Sequence, residues 1–356
     1  MSAPEPISGD LRGTQHDGHA VTAQSTPRVS VVIPTYKRPA LLLRCLRAVL
    51  AQRLAPHEFE ILVIDDGHDD ATSAAVRAVA HEHPHHSLVC LRPPRGRGPA
   101  VARNCGWRNA SAPLVAFTDD DTVPERNWLA CGLRAMDSLG FHESLPAGLV
   151  ALCGRVQVPV NDPPTDHELM TKGLESAEFV TANAFVRRDA LERVGGFDKR
   201  FTRAWREDSD LQFRLMQSVG PVGRCADATV LHPVRSEPWG ICLRQQRNAY
   251  FDALLYKKHP RLYRERIHPS PPWNYYLIVT LGLAAPVLAA AGQGRLALWA
   301  ATAALGLVGA FAWRRLSRTA RTPSHVFEMV ATSALIPFLS VYWRLAGALK
   351  FRVLFL

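Results

Sequence analysis

No pair of cysteines in this chain stands in a C-x-x-C spacing. The seven present (Cys45, Cys90, Cys105, Cys131, Cys153, Cys225 and Cys242) are odd in number and widely spaced, so neither a zinc site nor a disulfide framework is indicated. A reduced compartment is expected. Residues 1–27 lack an apolar run of the length a secretory signal needs, and a mobile leader is expected there. Acidic residues are the scarcer sign of charge: 32 Asp and Glu against 42 Lys and Arg give a net charge of +10. That balance admits nucleic acid, an anionic membrane surface or an anionic substrate. There is no basic array interleaved with aromatics and no zinc-finger pattern, so nucleic acid is not expected as a partner. A Gly-rich phosphate loop is also missing after the first apolar run. Pro34-Thr35-Tyr36-Lys37 stands there instead, which argues against a nucleotidyltransferase.

What is present from Val29 onward alternates between strand and helix. An apolar run over 29–33 is followed by Leu42, Leu46, Val49 and Leu50 at helical spacing, then by a second apolar run over 61–64. Helices are expected around 71–80 and 99–109, and a third strand over 114–118. Continuous apolar strands between helices predict an α/β fold, with a mostly parallel sheet covered by helices on both faces. Ligands of such sheets bind beyond the carboxyl ends of the strands. Asp65-Asp66 ends the second run and Asp119-Asp120-Asp121 ends the third, so one edge carries both acidic clusters.

Past residue 268 the composition changes. Residues 275–291 and 296–313 carry no charge and are each close to the ~20 residues needed to span a bilayer. Gly292-Gln293-Gly294-Arg295 would turn between them, making a helical hairpin in a C-terminal transmembrane region. A third apolar segment, 329–343, contains Pro337; spanning and lying in the interface both fit it. Lys257, Lys258, Arg261, Arg264 and Arg266 precede the hairpin, Arg314, Arg315, Arg318 and Arg321 follow it, and Arg295 alone lies between. This asymmetry predicts a cytosolic body on a multi-pass anchor in the inner (cytoplasmic) membrane, with membrane lipid as a partner. The expected organisation is a leader over 1–27, a catalytic domain over 28–268 and a membrane region over 269–356.

Two acidic clusters carry chemistry. Aspartates at i and i+2 of a strand-ending turn can aim oxygens at one hard divalent cation, Mg²⁺ or Mn²⁺, that bridges the phosphates of a nucleotide. Asp65 and Asp66 can accept hydrogen bonds from a nucleobase or ribose. Asp69, Asp70 and Thr72 read better as a helix cap. Asp208 precedes Leu211 and Leu215 at helical spacing, which puts it at a helix N-terminus where backbone dipoles favour an ionised base.

The ordered set Val31-Val32-Ile33-Pro34-Thr35-Tyr36-Lys37-Arg38, Asp65-Asp66-Gly67, Gly98-Pro99-Ala100-Val101-Ala102-Arg103-Asn104 and Thr118-Asp119-Asp120-Asp121 resembles the motifs of family 2 glycosyltransferases with the GT-A fold. Ala182-Asn183, Arg187-Arg188-Asp189-Ala190-Leu191, Gly195-Gly196-Phe197-Asp198, Glu207-Asp208-Ser209-Asp210-Leu211 and Val230-Leu231-His232 resemble its acceptor half, so the likeness covers roughly residues 28–260. The resemblance implies that Pro34, Tyr36 and Arg38 line the nucleotide pocket and that Asp65 and Asp66 read the base. It puts Arg103 by the diphosphate, Asp119 and Asp120 on the donor, and Asp119, Asp121 and His232 on the metal. Asp208 matches the catalytic base, and His68 stands where the family usually has Ser.

The function so implied is inverting transfer of a sugar from a nucleotide-sugar donor to a saccharide or polyprenyl-linked acceptor, assisted by Mn²⁺ or Mg²⁺. Trp205 and Trp239 suit either acceptor stacking or core packing. A processive polysaccharide synthase is an alternative, but Gln245-Gln246-Arg247-Asn248-Ala249 does not supply its Q-x-x-R-W element. A non-catalytic scaffold is another, against which the intact carboxylates argue.

Overall fold

A computed structural model describes residues 26–94, 98–138 and 148–356, so all but the end of the leader lies outside the described residues. In chain order the strands are β1 (Val29–Thr35), β2 (Phe59–Asp65), β3 (Ser87–Leu91), β4 (Leu114–Phe117), β5 (Val123–Pro124), β6 (Ala151–Gln157), β7 (Ala184–Arg187) and β8 (Val222–Leu231). They form one sheet in the order β3-β2-β1-β4-β7-β6-β8-β5. β1, β2 and β4 are the expected apolar runs, and their side chains alternate between two cores. Val32, Leu62, Ile64, Val115 and Phe117 face one of them, beneath the helix Pro99–Asn109. Val31, Ile33, Ile61, Val63 and Ala116 face the other, with Leu42, Leu46 and Val49 of the helix Pro39–Leu50. A strand covered on both faces can be apolar at every position, which is why these three were readable.

The β3-β2-β1-β4 half is parallel throughout, with Thr35 opposite Asp65 and Val32 opposite Phe117, so all these strands end at one edge. Beyond it the sheet becomes mixed: β7 runs antiparallel between β4 and β6, and the two-residue β5 runs antiparallel to β8. β3 is a partly exposed edge strand whose short apolar run, Leu88-Val89-Cys90-Leu91, does not stand out in the sequence.

Three C-terminal helices, Trp273–Ala290, Gly294–Leu316 and Pro323–Phe351, are long and apolar enough to cross a membrane by length and composition. The first two pack as a hairpin around the expected turn. The third runs well past both ends of the expected 329–343 segment and is not broken by Pro337. It lies along the α/β domain for most of its length. Near its start Glu328 accepts a hydrogen bond from the Gly240 amide at 2.7 Å. Near its end Gly347 packs on the Tyr250 backbone, and Lys257 donates to the Phe351 carbonyl at 2.6 Å. Glu328 and Gly347 are separated by about 28 Å of helix at 1.5 Å per residue. Beyond the helix, Phe355 is buried against Tyr256 and Tyr263, with ring centroids 5.3 and 5.5 Å away. Phe327, Val330, Leu335, Phe338, Tyr342, Leu345 and Leu349, at three- to five-residue spacing, are exposed along the opposite face.

Candidate active site

The cleft lies over the carboxyl ends of β1, β2 and β4. Thr118 continues β4, its amide donating to the Val32 carbonyl at 3.2 Å, and the acidic turn follows. The Thr122 hydroxyl closes that turn on the Asp119 carbonyl at 2.7 Å. β5 then pairs Val123 with Leu231, bringing the end of β8 alongside the turn. His232 is the next residue, held by its amide on the Gln157 carbonyl at 2.8 Å.

One ligand atom from each of Asp119, Asp121 and His232 lies within 4.8 Å of the other two. The His232 Nε2 is 3.6 Å from Asp121 Oδ1, while its buried Nδ1 has no hydrogen-bond partner. Two carboxylates and an imidazole are a donor set for a divalent cation such as Mn²⁺, and the residues fit one. Asp121 also meets two cations, Arg235 Nε at 3.2 Å and Arg38 Nη1 at 3.7 Å. Arg235, three residues after His232, was not singled out in the sequence; nothing but its place after the β8 motif marks it.

Asp120 turns away from this cluster. It is fully buried, accepts from the Thr35 hydroxyl at 2.7 Å and pairs with Arg38 at 2.8 Å. Burial raises its pKa to about 6, against the opposing pull of Arg38. It therefore ties the acidic turn to the end of β1 and to Arg38.

Asp65 and Asp66 close β2 at the same edge. Asp65 Oδ2 accepts from the Asp69 amide at 2.8 Å and from Arg92 Nε at 3.1 Å, and Asp65 Oδ1 is buried without a hydrogen-bond partner. Asp66 Oδ2 accepts from the Gly98 amide at 2.8 Å. Gly98 has φ +108°, and a Cβ there would come within 3.0 Å of the Thr202 carbonyl oxygen, so this approach requires glycine. Asp69 caps the next helix on the Thr72 amide at 3.0 Å, the role read for it in the sequence. His68, at φ 50°, meets the Pro93 carbonyl at 3.1 Å. Pro34 is half-buried in β1, and Tyr36 is exposed just beyond it.

Arg103 joins the two halves of the cleft. Buried on the helix Pro99–Asn109, it reaches Asp119 Oδ1 and Glu207 Oε1, each at 2.8 Å. Glu207 and Asp208 begin the helix Glu207–Ser218, as expected. The backbone before them is unusual: Arg206 adopts φ +73°, a left-handed conformation that strains a non-glycine residue. Asp252 pins this corner, accepting from Arg206 Nε at 2.7 Å and from Trp205 Nε1 at 3.1 Å. Asp208 Oδ1 takes its own cap from the Ser209 amide at 2.7 Å.

Burial raises the pKa of Asp208 above the usual carboxylate range, against the Ser209 amide and the nearby Arg103 and Arg206, which pull it down. Glu207 is raised as well, by burial first and by Asp208 beside it, with Arg103 opposing. A carboxylate lifted toward neutrality is a stronger base once ionised. Asp210 plays a different part, fully buried and paired with Arg214, Lys258 and His259. Two other family-motif residues are clamps. Asn183 donates to the Arg155 and Ala228 carbonyls, both at 2.8 Å, and Asn104 holds Phe197 through both backbone groups.

The glycosyl transferase family 2 profile matches residues 30–195, and the glycosyl transferase family group 2 profile matches residues 114–346. Glycosyltransferase AglE of Haloferax volcanii is 28% identical over 228 residues, covering 62% of this chain and 71% of that protein. Validoxylamine A glucosyltransferase of Streptomyces hygroscopicus subsp. limoneus is 30% identical over 281 residues, covering 67% of this chain but only 58% of the relative. Among solved structures, the mannosyltransferase PcManGT from Pyrobaculum calidifontis, in complex with GDP-Man and Mn²⁺, shares the fold. Its TM-score is 0.54 at 21% identity, with 91% of this chain and 87% of that one covered. The chain belongs to the family 2 glycosyltransferases.

Proposed function

We propose that the chain transfers a sugar from a nucleoside-diphosphate donor to an acceptor hydroxyl, with inversion, at the membrane surface. The observation that carries this reading is the Asp119, Asp121 and His232 cluster, linked by Arg103 to the turn that bears Asp208. Asp119, Asp121 and His232 would hold Mn²⁺ or Mg²⁺, which supplies charge for the departing diphosphate. Pro34, Tyr36 and Arg38 would line the nucleotide pocket, with Asp65 and Asp66 facing the base. Arg103, already on Asp119, would keep that carboxylate aimed at the cleft. In the transfer the acceptor oxygen bonds to the anomeric carbon as the bond to the phosphate oxygen breaks. The acceptor proton passes to Asp208, and a single displacement inverts the centre.

The third apolar helix bears on the membrane arrangement. Both of its ends touch the catalytic domain and one face is an exposed apolar stripe, which supports an in-plane helix beside a spanning hairpin. The cations flanking the hairpin support a cytosolic catalytic face in a cytoplasmic membrane, where nucleotide sugars are available. Incubating the purified full chain with a panel of nucleotide sugars and Mn²⁺ tests the activity. Release of nucleoside diphosphate from at least one donor is expected; none from any would refute the reading.

A further inference from the structure

The third apolar helix buries a cation with no ion-pair partner among the described residues. Arg344 is 7% exposed, its Nε is buried without a hydrogen-bond partner, and no carboxylate among the described residues pairs with it. Its guanidinium carbon lies 5.0 Å from the centroid of the Phe355 ring. It lines a cavity of about 460 Å³ bounded by Trp205, the helix Ala249–Lys258 and the three C-terminal helices. The other charges in that wall are matched: Asp166 pairs with Arg315 at 2.8 Å, and Asp252 with Arg206 at 2.7 Å. Among the described residues Arg344 is thus the one cation of the wall without an ion pair, facing the same space as the two paired carboxylates Asp166 and Asp252. The Tyr276 hydroxyl of the first C-terminal helix is also buried without a hydrogen-bond partner. A desolvated, unpaired cation on an apolar helix is costly to keep, and such residues mark ligand sites.

We infer that this cavity binds the phosphate of a lipid-linked acceptor, with Arg344 as the residue that recognises the anion. The inference rests on the transferase reading above. A lipid is favoured because Tyr275, Phe311 and Ile336 of the apolar helices form part of the wall, so a hydrocarbon chain can leave toward the bilayer. An acceptor is favoured by what lies next to the cavity. Trp205 is three residues before Asp208, and an adjoining cavity of about 490 Å³ shares Asp166, Cys242 and Gln245 with this one. That second cavity reaches Arg235, which pairs with Asp121. A phosphate held at Arg344 would therefore place its attached group along a continuous groove toward the base and the cation cluster.

Thermal unfolding of the detergent-solubilised full chain tests this with three probes: a polyprenyl monophosphate, the same polyprenol without phosphate, and inorganic phosphate. The monophosphate should raise the Tm. Its apparent affinity should fall by at least about tenfold in Arg344→Gln and Arg344→Met and stay within a few-fold in Arg344→Lys. Equal stabilisation by polyprenol, or unchanged affinity in Arg344→Gln, overturns the proposal. Inorganic phosphate binding as tightly as the lipid, with the same dependence on Arg344, overturns the lipid assignment. Without ligand, losing an unpaired charge should leave Tm unchanged or raised, and a fall in both neutral variants would show a structural role and overturn it too. Nucleotide-sugar hydrolysis by the wild type is measured in the same preparation. Its absence would refute the transferase reading, while its presence without Arg344-dependent binding would refute only the anion site.

Discussion

Replacing Asp208 with Asn isolates the proposed base from its surroundings. Asn keeps the shape and an Oδ1 that can accept from the Ser209 amide, now at 2.7 Å, so the cap survives. The ionised Glu207–Asp208 pair is unfavourable in the fold, because both groups have raised pKa values. For such groups stability is fully present below their unfolded values and is lost as pH rises through the folded values. A neutral Asn at neutral pH should therefore change stability by no more than about 1 kcal/mol, in either direction. Turnover should fall by about 10²–10⁴-fold, or roughly 2.7–5.4 kcal/mol of barrier at 1.36 kcal/mol per decade. The wild type should also show an acid limb in kcat, above the ordinary carboxylate range, that the variant lacks. Transfer rates across pH, with donor affinity measured separately by calorimetry, provide the assay. A folded variant that binds donor and turns over within a few-fold of the wild type would refute the assignment and shift attention to Glu207.

Two other predictions follow from the connections around this site. Arg103→Met leaves Glu207 buried opposite Asp119 without their shared cation, and should lower stability by about 3 kcal/mol in thermal unfolding, more than Arg103→Lys does. A loss below about 1 kcal/mol would show that the bridge is dispensable. For topology, reporters fused at Ser317 and after Leu356 should lie on the cytosolic side and one at Gly294 on the opposite side. A Leu356 fusion opposite Ser317 would mean that the third helix spans.

Three of the four parallel strands, β1, β2 and β4, and their acidic edge were legible because strands buried on both faces leave long apolar runs, whereas β3 is a half-exposed edge strand. The antiparallel insertion of β7 was not legible, since pairing direction leaves no local mark on a four-residue strand. The same limit applies to the site. Asp119 and Asp121 were readable from i, i+2 spacing, but the inward turn of Asp120 depends on Thr35, 85 residues earlier. The Arg103–Glu207 bridge joins residues 104 apart. Asp208 was legible at a helix start, while the burial that raises its pKa comes from packing that the sequence does not display. The third apolar segment was ambiguous for a related reason, because composition records an apolar face but not which end of the helix touches the rest of the protein.

The central claim is that Asp119, Asp121 and His232 form one divalent-cation site that serves the nucleotide. Calorimetric titration of Mn²⁺ into the purified chain, with and without a nucleoside diphosphate, tests it most directly. Binding at one site that tightens with nucleoside diphosphate, and weakens at least about tenfold in both Asp121→Asn and His232→Ala, is the predicted result. Mn²⁺ binding unchanged in those variants, or full sugar transfer in excess chelator, would contradict it.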